Sequence, residues 1–162
     1  MIRAATPNDA AAVADIWNHV IRDTVATFNS AEKPLSEVAT IIATRQAAGR
    51  AFMVWEAEAE ILGFATYDQF RGGVGYRLSM EHTVLLAPKA HGRGIGRALM
   101  TAIEDHARAA GNHVMVAGVA GENIAGRDFH RALGYQLVGT LPQVGFKFGR
   151  FMDLWLMQKI LT

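Results

Sequence analysis

A chain of 162 residues, 51% hydrophobic and 19% charged, carries enough apolar material for one domain with one substantial core and is too apolar to be disordered. Its 16 Lys and Arg against 15 Asp and Glu leave a formal net charge of +1, so no bulk field draws it to nucleic acid or to an anionic membrane. Cysteine is absent, which removes disulfides, thiolate metal sites and a cysteine nucleophile together. No apolar run reaches membrane-spanning length and the first residues lack a secretory h-region, so a cytoplasmic protein is expected.

Ile2-Arg3-Ala4 reads as a short strand. In Thr6-Pro7-Asn8-Asp9 a Thr precedes Pro at the first helical position and Asp stands three residues on, the signature of a capped helix start. The helix is expected to run to about Arg22, with Ala12, Val13, Ile16, Trp17 and Val20 on its buried side. Thr24 to Phe28 reads as extended, and Ser36 as the cap of a second helix ending near Gly49. Phe52 to Ala57 and Ile61 to Phe70 read as a hairpin turning near Glu58 to Glu60. After the flexible Arg71-Gly72-Gly73-Val74-Gly75, Arg77 to Leu86 reads as a strand that Pro88 stops. His113 to Val119 is a further strand, Asn123 to Leu133 a helix ended by Gly134, and Tyr135 to Val144 with Phe151 to Ile160 a closing pair of strands. The order is strand, two helices, three strands, helix, strand, helix, two strands. It predicts a single domain over residues 1–162 with a mixed α/β sheet and helices on both faces.

His91-Gly92-Arg93-Gly94-Ile95-Gly96-Arg97 holds three glycines alternating with other residues and opens directly into a helix, where Ile95, Leu99, Ile103 and Ala107 recur every four residues. Backbone free of side-chain obstruction thus meets the positive end of a helix, which makes an anion site. A P-loop would need Lys then Ser or Thr after the last glycine, and Arg97-Ala98 stands there instead. A dinucleotide fingerprint would need an acidic residue ending the next strand, and that strand leads into Gly121 before Glu122.

In the strand before this loop, alternation puts Arg77, Ser79, Glu81 and Thr83 on one side and Leu78, Met80, His82 and Val84 on the other. A solvated strand face would give the same pattern. Asn123 can be a helix cap and His130 a packed histidine on residue type alone.

The glycine loop resembles the acyl-CoA loop of the GNAT N-acetyltransferases, with His91 in the first position. Further segments are similar to the phosphinothricin N-acetyltransferase branch of that family: Thr24 to Phe28, Tyr76-Arg77, Glu81-His82-Thr83-Val84, Asn123 to His130, and Pro142 to Arg150 followed by Phe151-Met152-Asp153. Gly126 departs from that branch's usual serine, and Asp68-Gln69-Phe70-Arg71 replaces a segment often containing Trp. The resemblance implies a mixed, mostly antiparallel sheet of the GNAT fold and acetyl-CoA as cosubstrate, with no metal. It implies direct transfer to the amino group of a small amino acid such as methionine sulfone, methionine sulfoximine or phosphinothricin.

By the same resemblance Glu81 is the first candidate for the base and His130 the second, as base or as the acid that protonates the leaving thiolate. The cosubstrate would be held by main-chain groups of Val84, Leu85 and Leu86, by the loop from His91 through Gly92, Arg93, Gly94, Ile95, Gly96 and Arg97, and by Asn123. Arg77, Leu78 and Ser79 would face the acceptor, Arg77 as ligand of its carboxylate or oxyanion. A homodimer is also implied, with Phe151 to Ile160 either at the interface or in the core. Rival readings are a GNAT enzyme acting on a peptide N-terminus or a polyamine, and a non-catalytic acyl-CoA-binding module.

Overall fold

The computed structural model describes residues 1–162. Seven strands form one sheet: β1 (Ile2–Ala4), β2 (Phe52–Ala57), β3 (Glu60–Gln69), β4 (Ser79–Leu86), β5 (Val114–Ala120), β6 (Gln136–Lys147) and β7 (Arg150–Ile160). Four helices accompany them: α1 (Ala10–Asp23), α2 (Leu35–Ala47), α3 (Ile95–Ala109) and α4 (Ile124–Ala132). The spatial order is β1-β2-β3-β4-β5-β7-β6, and every neighbouring pair is antiparallel except β4 with β5. The chain order of elements is the one expected.

Alternation along the strands feeds two cores. Phe52, Val54 and Phe64 pack with Trp17 and Ile21 of α1 and Val38 and Ile42 of α2 on one face. Tyr67, Met80, Met115 and Met157 pack with Ile95, Leu99, Met100 and Ile103 of α3 on the other. The first helix is seated as expected: Thr6 N–H donates to Asp9 Oδ2 at 2.7 Å, and Arg3 reaches the same carboxylate through two nitrogens at 2.7 and 2.9 Å. That pairing holds the Asp9 carboxyl down at about 2 and ties the helix start to β1.

Three expectations are corrected. Thr24 to Phe28, expected to be extended, is bent at Val25, Ala26 and Phe28: hydroxyl side chains hold its turns locally, Ala26 N–H donating to Thr24 Oγ1 and Asn29 N–H to Thr27 Oγ1. The second helix begins at Leu35 with Pro34 as its extended N-cap, and Ser36 already lies inside the helix. The strand expected from Arg77 begins at Ser79, because Val74–Tyr76 forms a 3₁₀ turn whose end is Arg77. Arg77 therefore shares no strand face with Glu81.

The parallel seam between β4 and β5 is short. Its register runs Ser79 with Val114, Met80 with Met115 and Glu81 with Val116, and then stops, although both strands continue. Beyond Glu81 the two strands splay. On its other side β4 stays paired with β3 as far as Leu86. The bonds from Phe70 N–H to Ser79 O and from Ala87 N–H to Leu62 O fix the alternation. Odd-numbered residues of β4 direct their main-chain groups to β3, and even-numbered ones direct theirs to β5. Past the splay, Val84 and Leu86 thus turn N–H and C=O into the opening, whereas those of Leu85 face Phe64 of β3.

Candidate active site

Two cavities meet at this opening. One, of about 380 Å³, is lined by Trp17 of α1, by Ala26 to Asn29, by Lys33, by Glu81 through Leu85 and by Gly118 through Ala120; Asn123 and His130 reach it across the seam. The other, of about 410 Å³, runs past Val84, Leu85 and Leu86 to His91 and Gly96, with Asn123, Gly126 and Phe129 on its far wall. Ala26, Val84, Leu85, Asn123 and His130 border both. The two cavities therefore adjoin along these residues.

The second cavity ends on the glycine loop. Gly92 and Gly94 take φ of +74° and +78°, where a Cβ would be strained. Gly94 is the N-cap of α3, and the first intrahelical bond runs from Ala98 N–H to Gly94 O. The N–H groups of Ile95, Gly96 and Arg97 are thereby left to an outside acceptor. The Ile95 side chain is buried in the core, so that residue can offer only its main chain. Gly96 serves a second purpose, since a Cβ there would stand 3.3 Å from the Phe129 ring of α4. A polyphosphate-bearing thioester such as acetyl-CoA fits this wall: helix N–H groups for the anion, an apolar flank for the arm, and the splayed Val84 and Leu86 main chain near its end.

Glu81 projects into the first cavity with no protein partner for its carboxylate, and burial raises its pKa above the ordinary carboxylate range. Gly118 lies opposite, where a Cβ would be 3.2 Å from Glu81 Oε2.

His130 is differently engaged. Its Nδ1 lies 2.6 Å from Gly126 O, an atom that can only accept, so Nδ1 carries the hydrogen. Its Nε2 is then a lone pair, and it accepts from His82 Nε2–H at 3.0 Å. His82 Nδ1 is left bare and buried without a partner. Burial holds both rings neutral, lowering the pKa of His130 and bringing that of His82 down to about 3. Tyr135 packs edge-on against both rings and donates to Glu104, which also binds Lys159 Nζ at 2.6 Å.

Asn123 caps α4, its Oδ1 accepting from Gly126 N–H at 2.9 Å. The amide lies so close that a side chain at Gly126 would collide with it. The glycine at this departure is what lets Asn123 fold back onto its own helix.

The acceptor-side expectations fare less evenly. Arg77, Leu78 and Ser79 stand at the foot of β4, outside the residues lining either cavity, and Arg77 donates only to Val74 O at 3.3 Å. The one Lys or Arg lining the first cavity is Lys33, which lies in the loop between α1 and α2 and belongs to no motif of the sequence. Asn18 fixes it from α1, accepting from Lys33 N–H at 2.7 Å and donating to Lys33 O at 2.9 Å. Its ammonium lies 5.0 Å from the Trp17 ring centroid. A lysine fifteen positions after an Asn gave no sequence signal, because the contact closes the loop between α1 and α2.

Residues 2–156 match the family model described as an acetyltransferase (GNAT) domain. The chain is 37% identical over 157 residues to the L-methionine sulfoximine/L-methionine sulfone acetyltransferase of Salmonella typhimurium, across 97% of this chain and 92% of that protein. Among solved structures, the phosphinothricin acetyltransferase of Sinorhizobium meliloti in complex with acetyl-CoA superposes with a TM-score of 0.95 at 30% identity, over 99% of this chain and 87% of that one. The ribosomal-protein-alanine N-acetyltransferase of Brucella melitensis superposes with a TM-score of 0.96 at 39% identity, over 99% of both chains.

Proposed function

Because this chain belongs to the GNAT acetyltransferase family, we propose that it acetylates the α-amino group of a small amino acid or analogue. Methionine sulfone, methionine sulfoximine and phosphinothricin are the leading acceptors, and transfer is direct, with both substrates bound together. One observation carries this reading: an unpartnered Glu81 carboxylate lines the first cavity at the last paired residue before the β4/β5 splay, where the second cavity adjoins it. Each cavity falls in the range of about 300 to 1,000 Å³ usual for small-molecule sites. The walls of Trp17 and Phe28 favour a compact acceptor over a peptide N-terminus, and Lys33 disfavours a polyamine.

Acetyl-CoA supplies the activated acetyl thioester. The N–H groups from Gly92 to Arg97 hold its anionic end, and Asn123 borders its arm. The main-chain N–H of Val84 or Leu86 polarises the reacting carbonyl. Glu81 removes the proton from the incoming ammonium, directly or through a water, and the freed amine forms the C–N bond as the C–S bond breaks, the released thiolate taking up a proton to leave as the thiol. His130 is the weaker candidate for base, since His82 already occupies its lone pair and Gly126 its N–H. Lys33 takes the acceptor's anionic group, with Arg77 as the rival. The dimer implied by the resemblance is supported by the exposed apolar side chains of β6, and a cytoplasmic site fits the need for acetyl-CoA.

Thiol release from acetyl-CoA against a panel of methionine sulfone, methionine sulfoximine, phosphinothricin, ordinary amino acids, polyamines and an alanine-ended peptide tests the acceptor class. Selective release with the first three is expected. Peptide turnover above theirs would overturn the assignment. Glu81→Gln should leave acetyl-CoA binding intact, lower kcat on the order of 10² to 10⁴-fold and abolish the acid limb of kcat/KM. Unchanged turnover removes Glu81 as base. Whichever of Lys33→Met and Arg77→Met raises the acceptor KM, with that for acetyl-CoA unchanged, identifies the anion ligand.

A further inference from the structure

Lys147 ends β6 and is buried, only 3% exposed, its ammonium bonded to main-chain carbonyls and to no carboxylate. Burial lowers its pKa. An ammonium in that setting survives only if its donors are met. Two of them are: Nζ donates to Thr24 O at 2.6 Å and to Thr27 O at 2.8 Å, across more than a hundred residues of sequence, and the ring of Phe148 lies 5.0 Å from the charge. Two residues earlier on the same strand, Gly145 is bare, and a Cβ there would overlap the ring of Phe28.

These contacts converge on one segment. Thr24 to Asn29 has no sheet partner, and Ala26 to Asn29 form a wall of the first cavity. Beyond its own local turns, this backbone is tied down by the ammonium of Lys147 and by Phe28 lying across Gly145. We propose that Lys147, with Gly145, is a positioning residue for the acceptor: it clasps the 24–29 segment over the cavity and so sets how tightly the amine substrate is held. The proposal rests on the first cavity being the acceptor site. The cosubstrate depends on the clasp far less, because its anion is met by the glycine loop and its arm by β4 and α4, with only Thr24 and Ala26 of the segment on that wall.

Hydrogen exchange and kinetics on Lys147→Met, Lys147→Arg and Gly145→Ala test it. In Lys147→Met, amides of residues 24–29 are expected to exchange at least about tenfold faster while α3 keeps its protection, and acceptor KM should rise about tenfold with little change in acetyl-CoA Kd. Lys147→Arg keeps donors for both carbonyls and should recover part of each effect. Gly145→Ala leaves the ammonium in place but displaces Phe28, so it should raise acceptor KM by itself and carries the test if Lys147→Met fails to fold. Unchanged exchange at 24–29, or acceptor KM and acetyl-CoA Kd rising together, would overturn the clasp. If the parent enzyme turns over no amino-acid acceptor while exchange at 24–29 still depends on Lys147, the acceptor assignment fails and the acceptor half of this proposal falls with it.

Discussion

His82 and His130 show how much of a site depends on a single pair of rings. Each is ordinary in the sequence, one beside a glutamate and one on a short helix, and their approach across 48 positions comes only from β4 and α4 folding together. Their neutrality has a price in acid. Both pKa values lie below the ordinary histidine value in the folded chain, that of His82 at about 3. A group depressed on folding contributes stability that is full above its unfolded value near 6.5 and is lost as pH falls toward its folded one. Unfolding free energy should therefore decline from about pH 6.5 downward, by up to about 1.4 kcal/mol per pH unit for each histidine. Glu81 opposes this in its own window: its raised pKa contributes stability at low pH that is lost as pH rises. Urea titrations between pH 7.5 and 4.5 measure the sum. His82→Gln should flatten the decline and Glu81→Gln should steepen it; a slope unchanged in His82→Gln would show that His82 takes up its proton as readily in the folded chain as in the unfolded one.

At the scale of elements, what could be read from the sequence divides by the distance over which each element is held. The start of α1 was legible because Thr6, Pro7 and Asp9 act within one turn. The glycine loop was legible because its function lies in backbone geometry that glycine alone adopts freely. Thr24 to Phe28 was misread as extended because its holder, Lys147, lies over a hundred residues away and looks in sequence like a solvated strand end. Arg77 was misplaced because a 3₁₀ turn delays β4 by two residues, and period-2 reasoning has no means of seeing where a strand begins. The splay of β4 from β5 left no mark at all, as nothing in either strand's pattern distinguishes a paired edge from an open one. Gly118 is the exception. It is the point of β5 that faces Glu81 across the opening, and its missing side chain leaves room for the carboxylate. In Gly118→Ala the Cβ would press on Glu81 Oε2 at 3.2 Å and displace it by a few tenths of an ångström while removing solvent. We expect kcat to fall about tenfold through misplacement of the proposed base and the acid limb of kcat/KM to move further up, with acetyl-CoA binding retained. Unaltered kcat and an unmoved limb would show that Glu81 does its work, if any, away from this seam.

The whole molecule poses a problem of surface. The sequence left Phe151 to Ile160 undecided between core and interface, and β7 proves to lie between β5 and β6, with Met152 and Met157 buried. The edge is β6, and a long edge strand is a place where other chains add on unless something covers it. It is unusually apolar: Leu137, Val138, Leu141, Val144 and Phe146 are exposed, and Phe146 packs against Phe151 with ring centroids 5.1 Å apart while 57% and 66% of these two residues face solvent. Two register shifts, at Leu137/Gly139 and Leu141/Gly145, bend the strand and interrupt its edge. A bent edge resists open-ended pairing yet still offers side chains, which favours a closed two-fold contact over a fibre. Sedimentation equilibrium at micromolar concentration should thus give a dimer, and the double variant Phe146→Glu with Phe151→Glu should give a monomer. Neither residue lines the cosubstrate groove, so acetyl-CoA should bind the monomer as it binds the parent. Acceptor turnover then carries the information: Gly145 and Lys147, on the same strand, hold the wall of the cavity proposed for the acceptor, and a dimer that braced β6 would also brace that wall. A monomer with intact acetyl-CoA affinity and a raised acceptor KM is the expected result. A parent that sediments as a monomer, or a double variant that stays dimeric, would show that this face is not the one through which the chain assembles.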